Sequence, residues 1–475
     1  MLKSFIKDSF SYSIPSFFSK GISVLLIPLY TRYLSPADYG VFDLFLVFMN
    51  IVNLTVAFEI TQGVARFYII ENSIRDKILY ASTAFWFAMA SYLIFTSICI
   101  FFSSSLSFLI LGNSDFHDIF EIGVVYIFVN GLLQLVQNQF RWQMSSINFM
   151  VNSILHVLFT SLISVVSIYY FNLGIKGLFL GLLSGALIPL FIGYYQLRNT
   201  FIFSFEFEKL VSLLRFTSPL VPASVSVWAI SYFDRILIQY FHGLNDVGIY
   251  GIGFRISSSI LILLVGFQTA LTPLIYKHYE ENNTPFQIAS LFKTFLFFIF
   301  LSCLILISIL PIGLKYLISS RFLESEIVII FLIPSVILSQ LYIFFPGMSI
   351  RAKTKIILYI NLFGSIINVL LNYLLVQQWS YAGAAIASLI SQACILLAFI
   401  FYSQNFYFVP HEWKKIILLT IVFFISYFFI SFFSSSLVNL VFVKVFIISL
   451  FIYFSFWGYY FNDKEIDRFK KFLNL

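Results

Sequence analysis

The sequence predicts an all-α polytopic membrane protein: about 14 transmembrane helices, two six-helix lobes related by a parallel pseudo-two-fold repeat, plus a C-terminal helix pair. Three observations predict it. Of the 475 residues, 60% are hydrophobic and only 10% charged, whereas a soluble chain carries about 25% charged residues. Too little polar surface is available to face water, so lipid must solvate the chain. The apolar residues fall in runs long enough to cross a hydrocarbon core ~30 Å thick, which takes roughly 20 helical residues, and the runs lack the alternation of barrel strands. Finally, SPADYGVF at 35–42 is echoed by LNDVGIYG at 244–251, so that Asp38 and Gly40 return as Asp246 and Gly248, an offset of 208.

In order, the segments are expected at 12–34, 39–60, 78–103, 117–139, 147–171, 177–197, 218–241, 247–275, 290–314, 326–347, 355–376, 382–404, 415–434 and 439–461. The first follows Lys3 and Lys7 and outruns the ~7–15 residues of a signal-peptide core without a small-residue cleavage site, so it is expected to be a span. Pro36 and Gly40 then suit a tight turn into the second. The stretch 103–116, with a few Ser, Asn and Asp, is expected to be the longest outer loop. The sixth segment opens on NLGIKGLFLGLLSG (172–185).

The seventh segment starts the pattern again, Pro222 after Leu-Val answering Pro15 after Ser-Ile at an offset of 207. The twelfth opens on SYAGAAIASLISQ (380–392), its Gly383 lying 206 residues beyond Gly177. Turns favour Asp, Gly and Pro, so one echo alone means little. Three in the same order argue for two six-span halves. An even number of spans per half gives both halves one orientation. Sites then sit near the repeat interface, and access alternates as one half rocks against the other. Segments 13 and 14 have no counterpart. The expected division is 1–200, 201–409 and 410–475.

With the N-terminus inside, 20 of the 28 Lys and Arg fall on the inner side. Arg32, Lys176, Lys315, Arg321 and Lys444 fall outside, and Lys20, Arg235 and Arg255 fall within segments. This is the bias that sets topology. Both termini are therefore expected in the cytoplasm, with an even span count; 12 satisfies the same rule. The net charge of +7 is read the same way, and no nucleic-acid partner is expected. Cys99, Cys303 and Cys394 lie inside apolar runs, with no metal spacing and no disulfide framework. There is no Gly-x-x-x-x-Gly-Lys-[Ser/Thr] sequence, so neither direct ATP use nor a cofactor is expected.

IPSFFSKGISVLLIPLYTRYLSPADYGVF (14–42) resembles the opening of the polysaccharide-export flippases, the Wzx type of the multidrug/oligosaccharidyl-lipid/polysaccharide exporter superfamily. In that family a first span ending Pro-Leu-x-Thr-Arg-x-Leu leads into a small turn with Tyr-Gly. Here these are Pro28, Leu29, Thr31, Arg32, Leu34, Tyr39 and Gly40. FDRILIQYFHGLNDVGIYGIGFRIS (233–257) is similar to the family's Asp-Arg in span 7 and Val-Gly-x-Tyr start to span 8. The resemblance implies two six-helix lobes in a V and a site in the bacterial cytoplasmic (inner) membrane. It implies an undecaprenyl-diphosphate-linked oligosaccharide as substrate, moved for surface polysaccharide such as O-antigen or capsule. Membrane lipid, a polysaccharide polymerase and a chain-length regulator are the other expected partners. The sugar is not readable, because the family varies greatly in sequence. A gradient or downhill polymerisation outside would supply direction.

An ionisable residue at the bilayer centre costs about 2.5–3.5 kcal/mol on insertion scales and should face a bundle interior or cavity. Lys20, Arg235 and Arg255 are such residues, at expected depths of ~12, ~9 and ~12 Å for a rise of 1.5 Å per residue. Their repeat positions hold Trp228, Ile27 and Val47, so none is mirrored. The scaffold is shared but the cations are particular to one half. A diphosphate sugar fits them: Arg offers forked donors to phosphate oxygens and Lys a point charge. Tyr30, Trp228 and Tyr232 could pack against sugar faces.

Each residue also has a purely structural reading. Arg235 and Arg255 would serve equally in ion pairs with acids on other helices, Lys20 in snorkelling to the interface, and the aromatics in packing. Asp234 adjoins Arg235, but neighbours on a helix point about 100° apart and are not expected to face each other. Asp234 and Glu59 are the ion-coupling candidates. Arg66 and Arg141 are the cytoplasmic entry candidates, or simply topology charges, and His156 is expected to be packed and hydrogen-bonded. Arg235→Ala is expected to lower export with little loss of protein.

No covalent chemistry is expected. A polytopic polymerase, ligase or glycosyltransferase shares the composition but usually carries a large outer loop. A drug antiporter of the superfamily takes cations, which three basic residues would repel. A lipid II flippase shares the charge logic and the span count.

Overall fold

The computed structural model describes residues 2–261, 271, 275–432, 439–457 and 460–461. Every regular element among them is helical. Eleven of the described helices are long and apolar enough to cross a membrane. The longest, Thr354–Phe406, breaks at Ser380 (φ 45°, ψ −128°) and so carries both the eleventh and twelfth expected segments. The helix Leu244–Ser258 covers the start of the eighth, much of whose remainder lies outside the described residues. Asn439–Trp457 covers the last. Each of the 14 expected segments thus has a helical counterpart.

The chain divides into two compact units. The first comprises Met1–Ser259 and Ser365–Ala387, and the second Ile260–Gly364 and Ser388–Leu475. These units group helices by packing, whereas the expected three-part division follows the sequence repeat.

The first unit contains α1 (Leu2–Tyr33), α2 (Pro36–Thr55), α3 (Ile60–Ile70), α4 (Ile74–Phe101), α5 (Ser103–Leu111), α6 (His117–Trp142), α7 (Ser146–Tyr169), α8 (Gly174–Gln196), α9 (Phe207–Thr217), α10 (Leu220–His242) and α11 (Leu244–Ser258). Three sequence expectations change here. SPADYGVF is not a turn centred on Pro36 and Gly40. Only Leu34 and Ser35 lie outside the helices, and Pro36 opens α2. Ser35 caps α2 reciprocally: the Asp38 N–H donates to Ser35 Oγ (3.2 Å) and the Ser35 N–H to Asp38 Oδ2 (2.8 Å), which satisfies two donors at the helix start. The expected loop 103–116 is mostly α5, followed by a short turn of 3₁₀ helix at Ser114–Phe116. The stretches expected as inner loops after the second and sixth segments fold too, as the short helices α3 and α9.

Alpha-2 and α11 occupy matching places in the repeat and pack on each other through it. A methyl group at Gly40 would strike the carbonyl oxygen of Leu244, and one at Gly248 would strike that of Pro36. These contacts are reciprocal, because Gly248 and Leu244 are the repeat mates of Gly40 and Pro36 at the offset of 208. The echo in the sequence therefore records a close helix crossing, where small residues let two backbones approach. The linker from α8 to α9 is stitched to α4. Ser82 donates to Thr200 O (2.7 Å), Trp86 Nε1 to Ile202 O (2.9 Å), and Lys209 pairs with Asp76 (2.7 Å).

The second unit contains α12 (Thr284–Leu317), α13 (Ser325–Leu338), the single turn α14 (Gly347–Ile350), the outer portions of α15 (Thr354–Phe406), α16 (Trp413–Phe432) and α17 (Asn439–Trp457). Phe300 of α12 stacks on Phe423 of α16 with ring centroids 4.0 Å apart. Buried Lys293 pairs with Glu412 (3.3 Å), which also pairs with Lys415 (2.7 Å). Beside them His411 packs among Phe292, Phe345 and Trp413, and burial pushes its imidazole down to about 4.

Candidate functional site

Alpha-2, α10 and α11 bring four charged side chains together inside the first unit. Arg235 Nε donates to Asp43 Oδ2 (3.2 Å), and its Nη1 to Asp234 Oδ1 (2.9 Å) and to the Ser231 carbonyl (3.0 Å). Arg255 Nη2 donates to Asp43 Oδ1 (2.8 Å). The Tyr250 hydroxyl donates to Asp234 Oδ2. Arg235, Asp234 and Asp43 are only 3%, 4% and 5% exposed, while the Arg255 side chain is 21% exposed. Aromatic faces supply the remaining surroundings. Arg235 lies over Phe254 (4.4 Å) and Tyr250 (5.2 Å), and Arg255 over Phe42 (4.6 Å) and Tyr39 (5.4 Å). Ring faces attract guanidinium charge where water is excluded.

The cluster is asymmetric on a symmetric scaffold. The repeat mate of Asp43 is Gly251, and a methyl there would strike the Asp43 carboxylate. A bare backbone on one helix thus makes the space for the acid on the other. Sequence reasoning missed Asp43. The signal was available: Asp43 stands within VFDLFLVF, an acid inside an apolar run, as costly to insert as the cations that were noticed. The expectation for the neighbours Asp234 and Arg235 also changes. Their side chains do meet, because the long arginine folds back along the helix to the carboxylate of the adjacent residue.

A cavity of about 390 Å³ adjoins the cluster, lined by residues that include Asn50, Ser224, Trp228, Ser231 and Tyr232. Trp228 Nε1 donates to the Val47 carbonyl (3.1 Å), which fixes the indole, and its ring lies 6.3 Å from that of Tyr232. Tyr232 in turn stacks beneath Arg235 at 5.4 Å. Tyr30 is buried in α1, near Ser164 and Arg255. The structure thus gathers Trp228, Tyr232, Asp234, Arg235 and Arg255, with Tyr30 close by.

The other candidates lie elsewhere. Lys20, midway along α1, is half-buried and forms no ion pair with a described residue. Glu59 is half-buried at the start of α3, and both it and the exposed Phe58 before it have a left-handed backbone (φ 51° and 50°). Arg66 is exposed on α3 over the Phe216 ring (4.3 Å), and Arg141 is exposed at the end of α6 over Phe149 (4.2 Å). His156 is half-buried, and no hydrogen bond joins its ring to a described residue.

A family model described as a polysaccharide biosynthesis protein matches residues 29–282, and one described as MatE matches residues 219–374. The Lsg locus putative protein 1 of Haemophilus influenzae is 22% identical over 344 residues, which is 71% of this chain and 82% of that protein. Among solved structures, the lipid II flippase MurJ in an inward closed conformation superposes with a TM-score of 0.74 at 16% identity, over 94% of this chain and 99% of that one. An inward-facing multidrug resistance MATE family transporter of the MOP superfamily gives 0.65 at 17% identity, over 81% and 94%. At these identities the structural likeness is one of fold. The first match spans more than half of the sequence and all three helices of the charge cluster: the chain belongs to the polysaccharide biosynthesis protein family.

Proposed function

We propose that this chain is a flippase that carries undecaprenyl-diphosphate-linked oligosaccharide units across the bacterial inner membrane by alternating access, for surface polysaccharide such as O-antigen or capsule. The observation that carries the reading is the cavity. Trp228 and Tyr232 offer flat apolar faces to sugar rings, and Asn50, Ser224 and Ser231 offer hydrogen bonds to hydroxyls; Tyr232 and Ser231 join this lining to Arg235, and Asp43 joins Arg235 to Arg255. Arg255 is the arginine with exposed surface to spare for a diphosphate. Tyr30 completes its surroundings. Lys20 adds a positive charge that no described acid neutralises, and Arg66 and Arg141 meet the headgroup at the cytoplasmic side. Asp234 and Glu59 carry the coupling ion where one is used. Asp234 does so only by giving up Tyr250 or Arg235, since both of its oxygens are engaged. The lipid tail stays in the bilayer, and no bond in the substrate is made or broken.

The test is the sidedness of lipid-linked repeat units in cells depleted of this protein. Units held on the cytoplasmic leaflet, with surface polymer lost, are expected. Units that reach the outer leaflet unpolymerised would sink the reading and point to a polymerase.

A further inference from the structure

The proposed transport leaves one member of the cluster without a task. Asp43 divides its two oxygens between the two arginines, Oδ1 to Arg255 and Oδ2 to Arg235. With Asp234 beside Arg235, the cluster holds two carboxylates for two guanidiniums, and no net positive charge is left to bind an anion. A diphosphate therefore gains a cation only by taking one from an acid already in place. The burial values say which one: Arg235 is closed off between Asp43 and Asp234, whereas the Arg255 side chain is 21% exposed.

Position gives this exchange a mechanical consequence. Asp43 lies three residues beyond Gly40 on α2, directly below the place where Gly40 and Gly248 let α2 and α11 cross. Its bonds to Arg255 of α11 and Arg235 of α10 are the charged ties that hold α2 to those helices there, one turn from the neutral bond of Trp228 to the Val47 carbonyl. The crossing contributes packing alone, backbone against backbone. Releasing Asp43 removes the charged half of the attachment.

We propose that Asp43 is a built-in stand-in for the substrate anion: the diphosphate headgroup displaces it from Arg255, and α2 is thereby freed to part from α11 at the Pro36 and Leu244 ends. The inference rests on the diphosphate-substrate reading above. A diphosphate presents more oxygens and more charge than one carboxylate and pairs with a guanidinium fork in bidentate fashion. Arg255 stays paired before, during and after the exchange, so no step leaves a bare cation in a low-dielectric interior. The ligand's preference for the parted state is the free energy that moves the helices.

The experiment uses the full chain in lipid nanodiscs, with undecaprenyl diphosphate as the probe. Spin labels are placed on cysteines at Ala37 in the first turn of α2 and at Asn245 in the first turn of α11, with the three native cysteines replaced. In the unaltered cluster, adding the probe is expected to lengthen the label-to-label distance. In Asp43→Asn the longer distance is expected without the probe, and the probe is expected to bind about tenfold more tightly. Probe binding that neither lengthens the distance in the unaltered cluster nor tightens in Asp43→Asn overturns the exchange alone. Absence of probe binding in both proteins overturns the substrate reading, and the exchange with it. The unaltered cluster supplies its own answer where Asp43→Asn fails to fold: a distance that ignores saturating probe is sufficient to reject the exchange.

Discussion

Arg235 shows how far a residue's role depends on what surrounds it. By sequence it is a cation in a span, expected to be removable with little loss of protein. In the structure it lies between two carboxylates, buried to 3% exposure. Its removal leaves Asp43 and Asp234 with fewer donors than they need in a medium that penalises bare charge. Breaking one partner out of a buried ion cluster costs about 3–5 kcal/mol. Arg235→Ala is therefore expected to lower the amount of folded protein as well as export. Adding Asp43→Asn should return part of the loss, because the two changes act on one interaction and do not add. Thermal melts of the purified variants decide this. An Arg235→Ala protein that melts like the original, with export lost, would leave Arg235 with a substrate role and no structural one.

At the scale of elements, the repeat makes a prediction that a single helix pair could not. Gly40 and Gly248 are mates, and each faces the mate of the other's contact, Leu244 and Pro36. Valine at either position meets a backbone carbonyl, which cannot step aside as a side chain can, and overpacking of this kind costs about 1–3 kcal/mol. Gly40→Val and Gly248→Val are expected to lower the melting temperature by similar amounts, and Gly21→Val, where a methyl meets nothing within 4 Å, by much less. Unequal losses from the two mates would mean that the crossing is not reciprocal. Ser380 shows a repeat position filled at a cost. Its mate at the offset of 206 is Gly174, and both have positive φ, 45° and 53°. Such a backbone suits glycine, and the Ser380 hydroxyl is tied down by Asp246. The mate of Ser35 is Gly243, which has no hydroxyl to give Asp246 as Ser35 gives one to Asp38, and whose N–H goes to the Ile238 and Gln239 carbonyls.

Those relations also mark what was legible in the sequence. Segments of roughly 20 apolar residues have one solution in a bilayer, so the spans could be placed from composition alone. The echo of Gly40 survived because a close crossing restricts residue type, whereas the two aspartates serve different ends, Asp38 in the cap of α2 and Asp246 on Ser380. Alpha-3 and α9, at 11 residues each, are too short and too polar to register as spans. Alpha-5 hid among Ser, Asn and Asp that read as loop. The site was legible through its cations and aromatics. Asp43 was legible as an acid in an apolar run, but its pairing was not, because its partners come from α10 and α11, some 190 to 210 residues away, and only the fold brings them near.

The orientation of the whole molecule is an argument about charge that the helices themselves do not settle, since a helix crosses equally well in either direction. Loops with Lys and Arg stay on the cytoplasmic side because moving them across costs more than retaining them. Of the 28 basic residues, 20 fall on one side by the expected segment order and only five on the other. That places Ser114 and Asn245 outside and Asn72 and Asn282 inside, and all four are exposed. Single cysteines at these positions, in a chain lacking Cys99, Cys303 and Cys394, can be challenged in intact cells with a maleimide that does not cross membranes. Ser114→Cys and Asn245→Cys are expected to label at once, and Asn72→Cys and Asn282→Cys only after the membrane is opened. The reverse pattern would invert the molecule and put Arg66 and Arg141 at the exit. A mixed pattern within one half would instead break the even span count on which the parallel repeat depends. The four positions therefore test the repeat and the direction of transport in one measurement.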